Sequence, residues 1–517
     1  MLRLPVLNSQ QARDWDRRTS DAGLPAVALM ESAGRAVAAV VTTRFPRPMR
    51  QGVLIAAGPG NNGGDGWVIA RALAAQGVAV WVVGPAAPAS ELCRLEARLA
   101  REAGVREVDP NGPWPTIGLV IDALLGTGAS GPPRKGFAEL LSRLEELALP
   151  VVAVDGPTGL DLDTGVSHGS IRTELTITFG GYRRGQLLAR DEVGDVVVVD
   201  AGFAAPDPAW PRFFTEADAA RAALPLGGSS HKGTRGRVVI LGGDAGMTGA
   251  ARLAARSAFA GGAGLVHVIA PAESVAILSA AEPDLQTTVS SFDSRSAPAL
   301  ALLERADVVV IGPGLGRASG RLALVEAAAG ATAAPLVIDA DGLMAFAGHI
   351  GALARCGGVR PLVITPHAGE FRALFPSLAS DLATDPWRVA AEAAALCGAT
   401  VLLKGVPTVI ARPGEAMLTV AAGNPSLATG GSGDTLAGLL AAWLGQGTDA
   451  VTAAALAARA LGDASDFAAR RFTARGARPM DVITALVDVW RLYDMHRRAP
   501  SPAPAPVLHE LTAPIRV

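Results

Sequence analysis

Residues 53–76, VLIAAGPGNNGGDGWVIARALAAQ, decide the fold. An apolar run at 53–57 breaks into glycines and is followed by a helical-period segment at 67–76, the strand, loop and helix that open a parallel α/β sheet. The bare backbone N–H groups of such a loop suit a phosphate at a helix N-terminus. Far along the chain, Gly430-Gly431-Ser432-Gly433-Asp434 runs into an apolar helix at 435–444 and offers a second cradle of the same kind. Each loop carries an aspartate, Asp65 or Asp434, and a carboxylate repels phosphate unless it serves a proton, a metal or a hydroxyl. One chain thus carries two candidate anion sites.

Outward from the first loop, short apolar runs at 78–83, 119–121, 151–154 and 196–199 read as further strands, with helices at 137–147 and, ahead of the first strand, at 9–22 and 27–44. Residues 1–220 therefore read as an α/β domain of the Rossmann-like, doubly wound type. Pro, Gly and Ser accumulate at 221–236, and a fresh series of strands follows at 238–241, 265–269, 308–311, 336–338, 362–364 and 401–403. A second α/β domain is expected over 225–498, with the boundary near 225 and a mobile Pro/Ala-rich tail over 499–517.

At 517 residues two domains are the prior expectation. The formal charge of −2 includes no basic run longer than paired arginines, which gives no footprint for nucleic acid or a membrane surface. No uninterrupted apolar run approaches the ~18 residues that span a bilayer, and residues 1–11 lack a signal pattern. Cys93, Cys356 and Cys397 are widely spaced without a C-x-x-C and read as buried thiols of a cytoplasmic protein. Of the 46 basic residues only Lys135, Lys232 and Lys404 are lysine, and asparagine is confined to Asn8, Asn61, Asn62, Asn111 and Asn424. In so biased a composition these residues are expected where arginine or a carboxylate cannot substitute. Several of them fall in the glycine motifs.

Gly58, Gly60 and Gly63 match G-x-G-x-x-G formally, but the strand at 78–83 supplies no acid for a ribose, which disfavours a redox Rossmann domain. Two further segments end strands nearby: Asp122-Ala-Leu-Leu-Gly126-Thr127-Gly128 and Asp155-Gly156-Pro157-Thr158-Gly159. A lone strand-end aspartate often caps a helix. Three adjacent loops with Asn62, Asp122, Asp155 and Thr158 instead offer hard oxygens to a cation. The run GNNGGDGWVIAR with DALLGTG and VDGPTGLDLDTG closely resembles the NAD(P)H-hydrate epimerase domain over residues 1 to about 215. That resemblance implies an NADH or NADPH hydrated at C6 of the nicotinamide ring, contacted by Asn61, Asn62, Gly63, Gly64, Asp65, Gly126, Thr127, Gly128 and Asp155. It also implies potassium at Asn62, Asp122 and Thr158, and Asp155 as acid/base. The family usually has isoleucine and serine where Gly156 and Thr158 stand, and a family lysine corresponds to Arg183.

In the second half the order GSSHKGTRGRVVILGG, GMTGAA, IGPGLG, DADGL, TPHAGEF, KGVPT, GGSGDTLAG resembles the ADP/ATP-dependent NAD(P)H-hydrate dehydratase of the ribokinase-like superfamily over about 225–490. By that resemblance Lys404, Gly405, Val406, Pro407, Thr408 and Gly433 meet the adenine nucleotide, whereas Ala250, Gly314, Gly316, His367 and Asp434 meet the hydrate, with Asp434 catalytic. His231 and Lys232 either close the site or form a solvated pair in the linker. Leucine stands at Leu461, near which many relatives carry histidine. Magnesium is implied beside the nucleotide phosphates, with ADP as co-substrate and a homo-oligomer as the assembly. Hydroxide leaves poorly, so phosphorylating it before elimination is chemically coherent. Two alternatives stay open: a ribokinase-like kinase of a vitamin-precursor alcohol fused to a nucleotide-binding module, and a non-catalytic scaffold in residues 1–215, against which Asp65, Asp122 and Asp155 argue.

Overall fold

The computed structural model describes residues 4–292, 297–358, 360–498 and 504–515, and the chain divides into two compact units, residues 1–213 with 501–513 and residues 214–500 with 514–517. In the first unit the strands lie in the order Val507–Leu511, Asp195–Val199, Leu175–Phe179, Val151–Val154, Leu119–Ala123, Val53–Ala57, Val80–Val83, Arg106–Glu107. All neighbours are parallel except Val507–Leu511, which pairs antiparallel with Asp195–Val199. The chain leaves Val53–Ala57 toward Val80–Val83 on one side and returns to Leu119–Ala123 on the other. That reversal is where a doubly wound sheet opens its ligand crevice. Both faces are covered, as parallel strands require. Leu54 and Ala56 pack with Leu140, Leu141 and Leu144, while Val53 and Ile55 pack with Val37, Val41, Ile69 and Leu73. Helix Ala26–Arg44 is long and apolar enough to cross a bilayer, but half of it is buried, with Val37 and Val41 inside this core.

The second unit orders its strands as Leu418–Val420, Thr408–Ala411, Thr400–Leu403, Leu362–Ile364, Leu336–Ile338, Val308–Ile311, Arg237–Leu241, Leu265–Ala270, Gln286–Val289. The first two run antiparallel to their neighbours and the rest are parallel. Helices Thr248–Ala260, Ser432–Gly445, Ala450–Gly476 and Pro479–Arg498 contribute to one apolar core with the inward-facing Val238, Ile240, Val310 and Leu402.

Three sequence expectations change. The helix expected at 67–76 begins at Asn61, so the glycine loop forms its first turns. Glycine is a poor helix former, but a Cβ on Gly63 would stand 1.7 Å from the Gly58 carbonyl oxygen and one on Gly64 2.7 Å from Met30 Sδ, so packing overrides propensity. The boundary expected at 220–225 falls at 213/214, because helix Glu216–Ala222 is tied into the second unit. There Arg459 meets Glu216 at 3.6 Å and Asp463 at 2.9 Å, His496 meets Glu216 at 2.6 Å, and the Tyr493 hydroxyl donates to Asp463 at 2.8 Å. The tail expected to be mobile over 499–517 supplies strand Val507–Leu511 to the first unit. Leu461 is buried in the apolar core, which is what leucine at that position does here.

A Cβ on Gly438 would lie 2.0 Å from the Ala254 carbonyl oxygen and 2.1 Å from Ser257 Oγ. Gly438→Ala should gain ~1 kcal/mol of helix propensity and lose more to overpacking, typically ~1–3 kcal/mol or beyond when backbone must move. Thermal unfolding should show a lower midpoint; an unchanged or higher midpoint would contradict this helix packing.

Candidate active sites

In the first unit the candidate residues leave the carboxyl ends of adjacent strands. After Val53–Ala57, Gly58 brings its loop against the next one, since a Cβ there would meet the Leu124 carbonyl oxygen at 1.8 Å. No side chain caps the helix starting at Asn61, whose N-cap is Gly60, so its first amide groups point toward a ligand. Asp155 follows Val151–Val154 in a left-handed conformation, φ 65°, a strain that non-glycine residues hold mainly at functional sites. Its backbone is pinned by an N–H bond to Ile177 O at 2.7 Å and by Gln186 Nε2 donating to its carbonyl at 2.5 Å.

The Asp155 carboxylate, 6% exposed, is the centre of the site. Its Oδ2 accepts the Thr127 N–H at 2.7 Å and the Thr127 hydroxyl, and its Oδ1 lies 3.2 Å from an Arg183 guanidinium nitrogen. Arg183 also donates from Nε to Thr127 Oγ1 at 3.1 Å. A Cβ on Gly126 would be 3.0 Å from both the Asn62 amide oxygen and Asp155 Oδ2, so the two side chains face each other across that glycine. Asp122 and Thr158 form a second knot. The Asp122 carboxylate, fully buried, accepts Thr158 N–H at 2.7 Å, Thr158 O–H at 2.8 Å and Leu124 N–H at 3.1 Å. Burial pushes Asp122 up to about 6, against the pull of those bonds. Asp65 is raised well above the usual carboxylate range by burial and then by Asp155, Asp16 and Glu96.

Asp16 was not among the expected site residues. Its residue is solvent-exposed, and its carboxyl lies within electrostatic reach of Arg183, which lowers its proton affinity, and of Asp155, which raises it. One turn earlier Arg13 brings a guanidinium nitrogen within 3.1 Å of where a Gly128 Cβ would stand. Their common face on helix Ser9–Asp21 was the available signal, but a helix preceding the first strand gives no hint of which loop it will cover.

In the second unit, Lys404 ends strand Thr400–Leu403, and its ammonium donates to Asp339 Oδ1 at 2.9 Å and lies 3.6 Å from Glu370 Oε2. Burial disfavours the ammonium, yet Asp339, Glu370 and Asp434 together raise Lys404 above its ordinary value. A Cβ on Gly433 would be 3.2 Å from Lys404 Nζ and 3.7 Å from Asp339 Oδ2, so the start of helix Ser432–Gly445 presses on this pair. Asp434, in that first turn, is pushed up to about 7 by burial and by Asp339, with Lys404 opposing. Asp339 and Glu370, both buried, were absent from the sequence reading because DADGL and TPHAGEF offered no hint that their acids meet one lysine.

Gly314 and Gly316 take φ 61° and 75°, and their Cβ positions would fall 2.6 Å from the Met247 carbonyl oxygen and 2.7 Å from Asp244 Oδ2, with Ala250 Cβ 3.1 Å from the former. The Gly316 N–H donates to Asp341 at 3.0 Å. The structure therefore brings Ala250, Gly314 and Gly316 together. His367 caps helix Ala368–Leu374: its Nδ1 accepts Gly369 N–H at 2.9 Å, and its Nε2 lies 3.4 Å from Glu370, with the side chain 58% exposed. Val406, 68% exposed, heads the turn between Thr400–Leu403 and Thr408–Ala411, where Thr408 Oγ1 donates to Gly405 O at 3.2 Å. His231 and Lys232 are not brought to this site. A Cβ on Gly264 would be 2.0 Å from Lys232 O, which fixes that segment at the amino ends of strands Arg237–Leu241 and Leu265–Ala270, the opposite edge of the sheet.

Residues 26–185 match the family described as YjeF-related protein N-terminus, and residues 238–487 match that described as NAD(P)H-hydrate dehydratase. Over 500 residues the chain is 36% identical to the bifunctional NAD(P)H-hydrate repair enzyme Nnr of Escherichia coli (strain K12), an alignment covering 93% of each chain. Among solved structures, the ADP/ATP-dependent NAD(P)H-hydrate dehydratase of Bacillus subtilis, co-crystallized with ATP/Mg2+, is 27% identical and covers 55% of this chain and 98% of its own, with a TM-score of 0.49. A ribokinase-like superfamily protein of Enterococcus faecalis V583 is 25% identical, covers 54% and 95%, and has a TM-score of 0.48. With two family domains in sequence and near-complete coverage of a curated relative, the chain belongs to the family of bifunctional NAD(P)H-hydrate repair enzymes.

Proposed function

We propose that the first unit interconverts the (R) and (S) forms of NADH and NADPH hydrated at C6, and that the second dehydrates the (S) form to NAD(P)H with ADP, giving AMP and phosphate. The observation that carries this reading is the presence in one chain of two separate clusters of carboxylates and a cation, Asp155 paired with Arg183, and Lys404 paired with Asp339 and Glu370 within electrostatic reach of Asp434. In the first, Asp155 takes the proton of the C6 hydroxyl as the C6–N1 bond opens to an aldehyde, the electron pair going to N1, and returns it when N1 closes on the other face of that carbon, while Arg183 and Thr127 hold its carboxylate in one orientation. In the second, Asp434 deprotonates the hydroxyl that receives the phosphoryl group, and the Gly433 amide region with Lys404 stabilises the charge that moves. Departure of phosphate from C6, with loss of a proton from C5, then restores the dihydropyridine.

Asn62, Asp122 and Thr158 would hold a potassium ion. The fit rests on the buried carboxylate of Asp122 and hydroxyl of Thr158 with the amide oxygen of Asn62 from a neighbouring loop, a donor set of hard oxygens. Magnesium, which usually takes one or two carboxylates plus substrate phosphates and would neutralise those phosphates here, finds Asp339 and Glu370 beside Lys404. Three free, buried thiols, Cys93, Cys356 and Cys397, favour a cytoplasmic setting.

Separate sites should separate by mutation. Asp155→Asn should lower epimerisation by ~10²–10⁴-fold and spare dehydration of the (S) hydrate, and Asp434→Asn should do the reverse. Following reduced-nicotinamide absorbance from pure (R) and pure (S) hydrate with ADP checks both, and loss of both reactions in either variant would refute the division.

Asp434 must be ionised to act as a base, so dehydration kcat/KM should rise with pH through about 7. Its folded value lies above the ordinary 3.8, so ionisation opposes folding, with the penalty complete above about 7 and gone below 3.8. Asp434→Asn should accordingly raise the unfolding midpoint more at about pH 8 than at about pH 4. Equal shifts at both would dismiss this assignment.

Lys404→Arg places a broad planar cation where Gly433 leaves room for a compact one. The KM for ADP should rise about ten-fold or more while that for the hydrate changes little, as steady-state titration of each substrate would reveal.

A further inference from the structure

The first unit is finished by residues that follow the second. Strand Val507–Leu511 pairs antiparallel with Asp195–Val199, His509 opposite Val198 and Leu511 opposite Val196. The flanks are held too: the Asp200 N–H donates to Pro506 O at 2.8 Å, Arg190 to Thr512 O at 2.6 Å, and the Ala513 N–H to the Asp195 carboxylate at 2.7 Å. Without this strand the Asp-Val-Val-Val-Val segment would be the open edge of the sheet. Covering an edge explains a strand of any sequence; it does not explain His509.

The His509 ring meets Tyr182, with Nδ1 2.6 Å from the Tyr182 hydroxyl and the ring centroids 5.9 Å apart, and it also lies against Phe213 at 5.3 Å. Tyr182 is completely buried, stacks on Phe213 at 4.5 Å and donates its N–H to Pro5 O at 2.9 Å. The next residue is Arg183, and the pair forms a short strand against Val6–Leu7. Side chains alternate along a strand, so the anchor on Tyr182 and the guanidinium of Arg183 point to opposite sides of one rigid dipeptide. Arg183 in turn reaches Asp155 at 3.2 Å and Thr127 at 3.1 Å.

We propose that Val507–Leu511 is a working part of the epimerase unit, and that His509 is a positioning residue which, through Tyr182, fixes Arg183 against Asp155. The proposal rests on the epimerase reading of the first unit. It makes the first reaction depend on a segment that the chain supplies only after the second unit is complete. Displacement of a positioning element by about 1 Å can cost ~10²-fold in rate without touching binding.

The test uses the full chain with three variants. His509→Phe keeps a ring between Tyr182 and Phe213 but removes the hydrogen bond, His509→Asn keeps a polar atom near the place of Nδ1, and a stop after residue 503 removes the strand. Pure (R) hydrate with ADP reports epimerisation, and pure (S) hydrate reports dehydration in the same molecule. Expected are a fall of roughly 10–100-fold in epimerisation kcat for His509→Phe and for the truncation, with KM within about threefold, substantial recovery in His509→Asn, and unchanged dehydration. A wild-type rate of epimerisation in His509→Phe, or a loss that merely tracks a lowered unfolding midpoint and a parallel loss of dehydration, overturns the inference. If the wild-type chain itself does not epimerise, the reading of the first unit falls and the inference with it.

Discussion

The carbonyl oxygen of Gly58 stands 1.7 Å from the place a Cβ on Gly63 would take, and that of Leu124 stands 1.8 Å from the place of one on Gly58. Three backbone segments thus touch where any side chain would hold them apart. The contact lets Asn62, from the start of one helix, and Asp155, from two strands away, meet across Gly126. The second unit repeats the device with different residues. A Cβ on Gly312 would fall 1.8 Å from Asp339 O and one on Gly242 2.2 Å from Pro313 O, so neighbouring strand exits close together and Asp339 is delivered to Lys404. Convergence of acids and cations in both sites is a consequence of missing methyl groups.

Bringing acids together has an electrostatic consequence that each site resolves differently. In the second unit the ammonium of Lys404 sits between Asp339 and Glu370, and Asp434, beyond them, is left with a protonation equilibrium near 7 by burial and by Asp339. Such a carboxyl is poised between donor and acceptor at neutral pH, which is the useful range for a base. In the first unit Asp155 has its own cation and two donors from Thr127, while burial and the nearby Asp155 raise its neighbour Asp65.

The strands made of Val, Ile and Leu runs were legible because parallel sheets bury both faces, and Val53–Ala57, Val151–Val154 and Val308–Ile311 fall where the residues place them. Leu175–Phe179 was not foreseen: its alternating threonines, Thr176 and Thr178, look polar but are fully buried, with Thr176 donating to Val193 O at 2.8 Å. The hairpin Thr408–Ala411 with Leu418–Val420 and the strand Val507–Leu511 were missed since their partners, more than their own residues, make them strands. Glycine motifs announced where a ligand would meet backbone. They could not announce Asp16, Asp339 or Glu370, whose place in a site exists only once distant elements have packed.

Scarcity of lysine was informative at Lys404 alone, since Lys135 is solvent-exposed and Lys232 lies at the other edge of its sheet, and at Lys404 the geometry gives the reason. The pocket between Asp339, Glu370 and the Gly433 backbone leaves 3.2 Å from Nζ to the nearest Cβ position, room for a compact ammonium that can turn its donors from a carboxylate to an incoming phosphate. Arg183 faces the opposite requirement. Its Nε serves Thr127, one terminal nitrogen serves Gly181 O at 3.2 Å and the other serves Asp155, a fork of three fixed directions that a single ammonium on a flexible stem could not hold at once. Arg183 is thus a rigid clamp on the Asp155 carboxylate, and a rigid clamp is only as accurate as the strand that carries it. That demand falls on Tyr182, which is buried without exposure, stacked on Phe213 and hydrogen-bonded at its hydroxyl to His509.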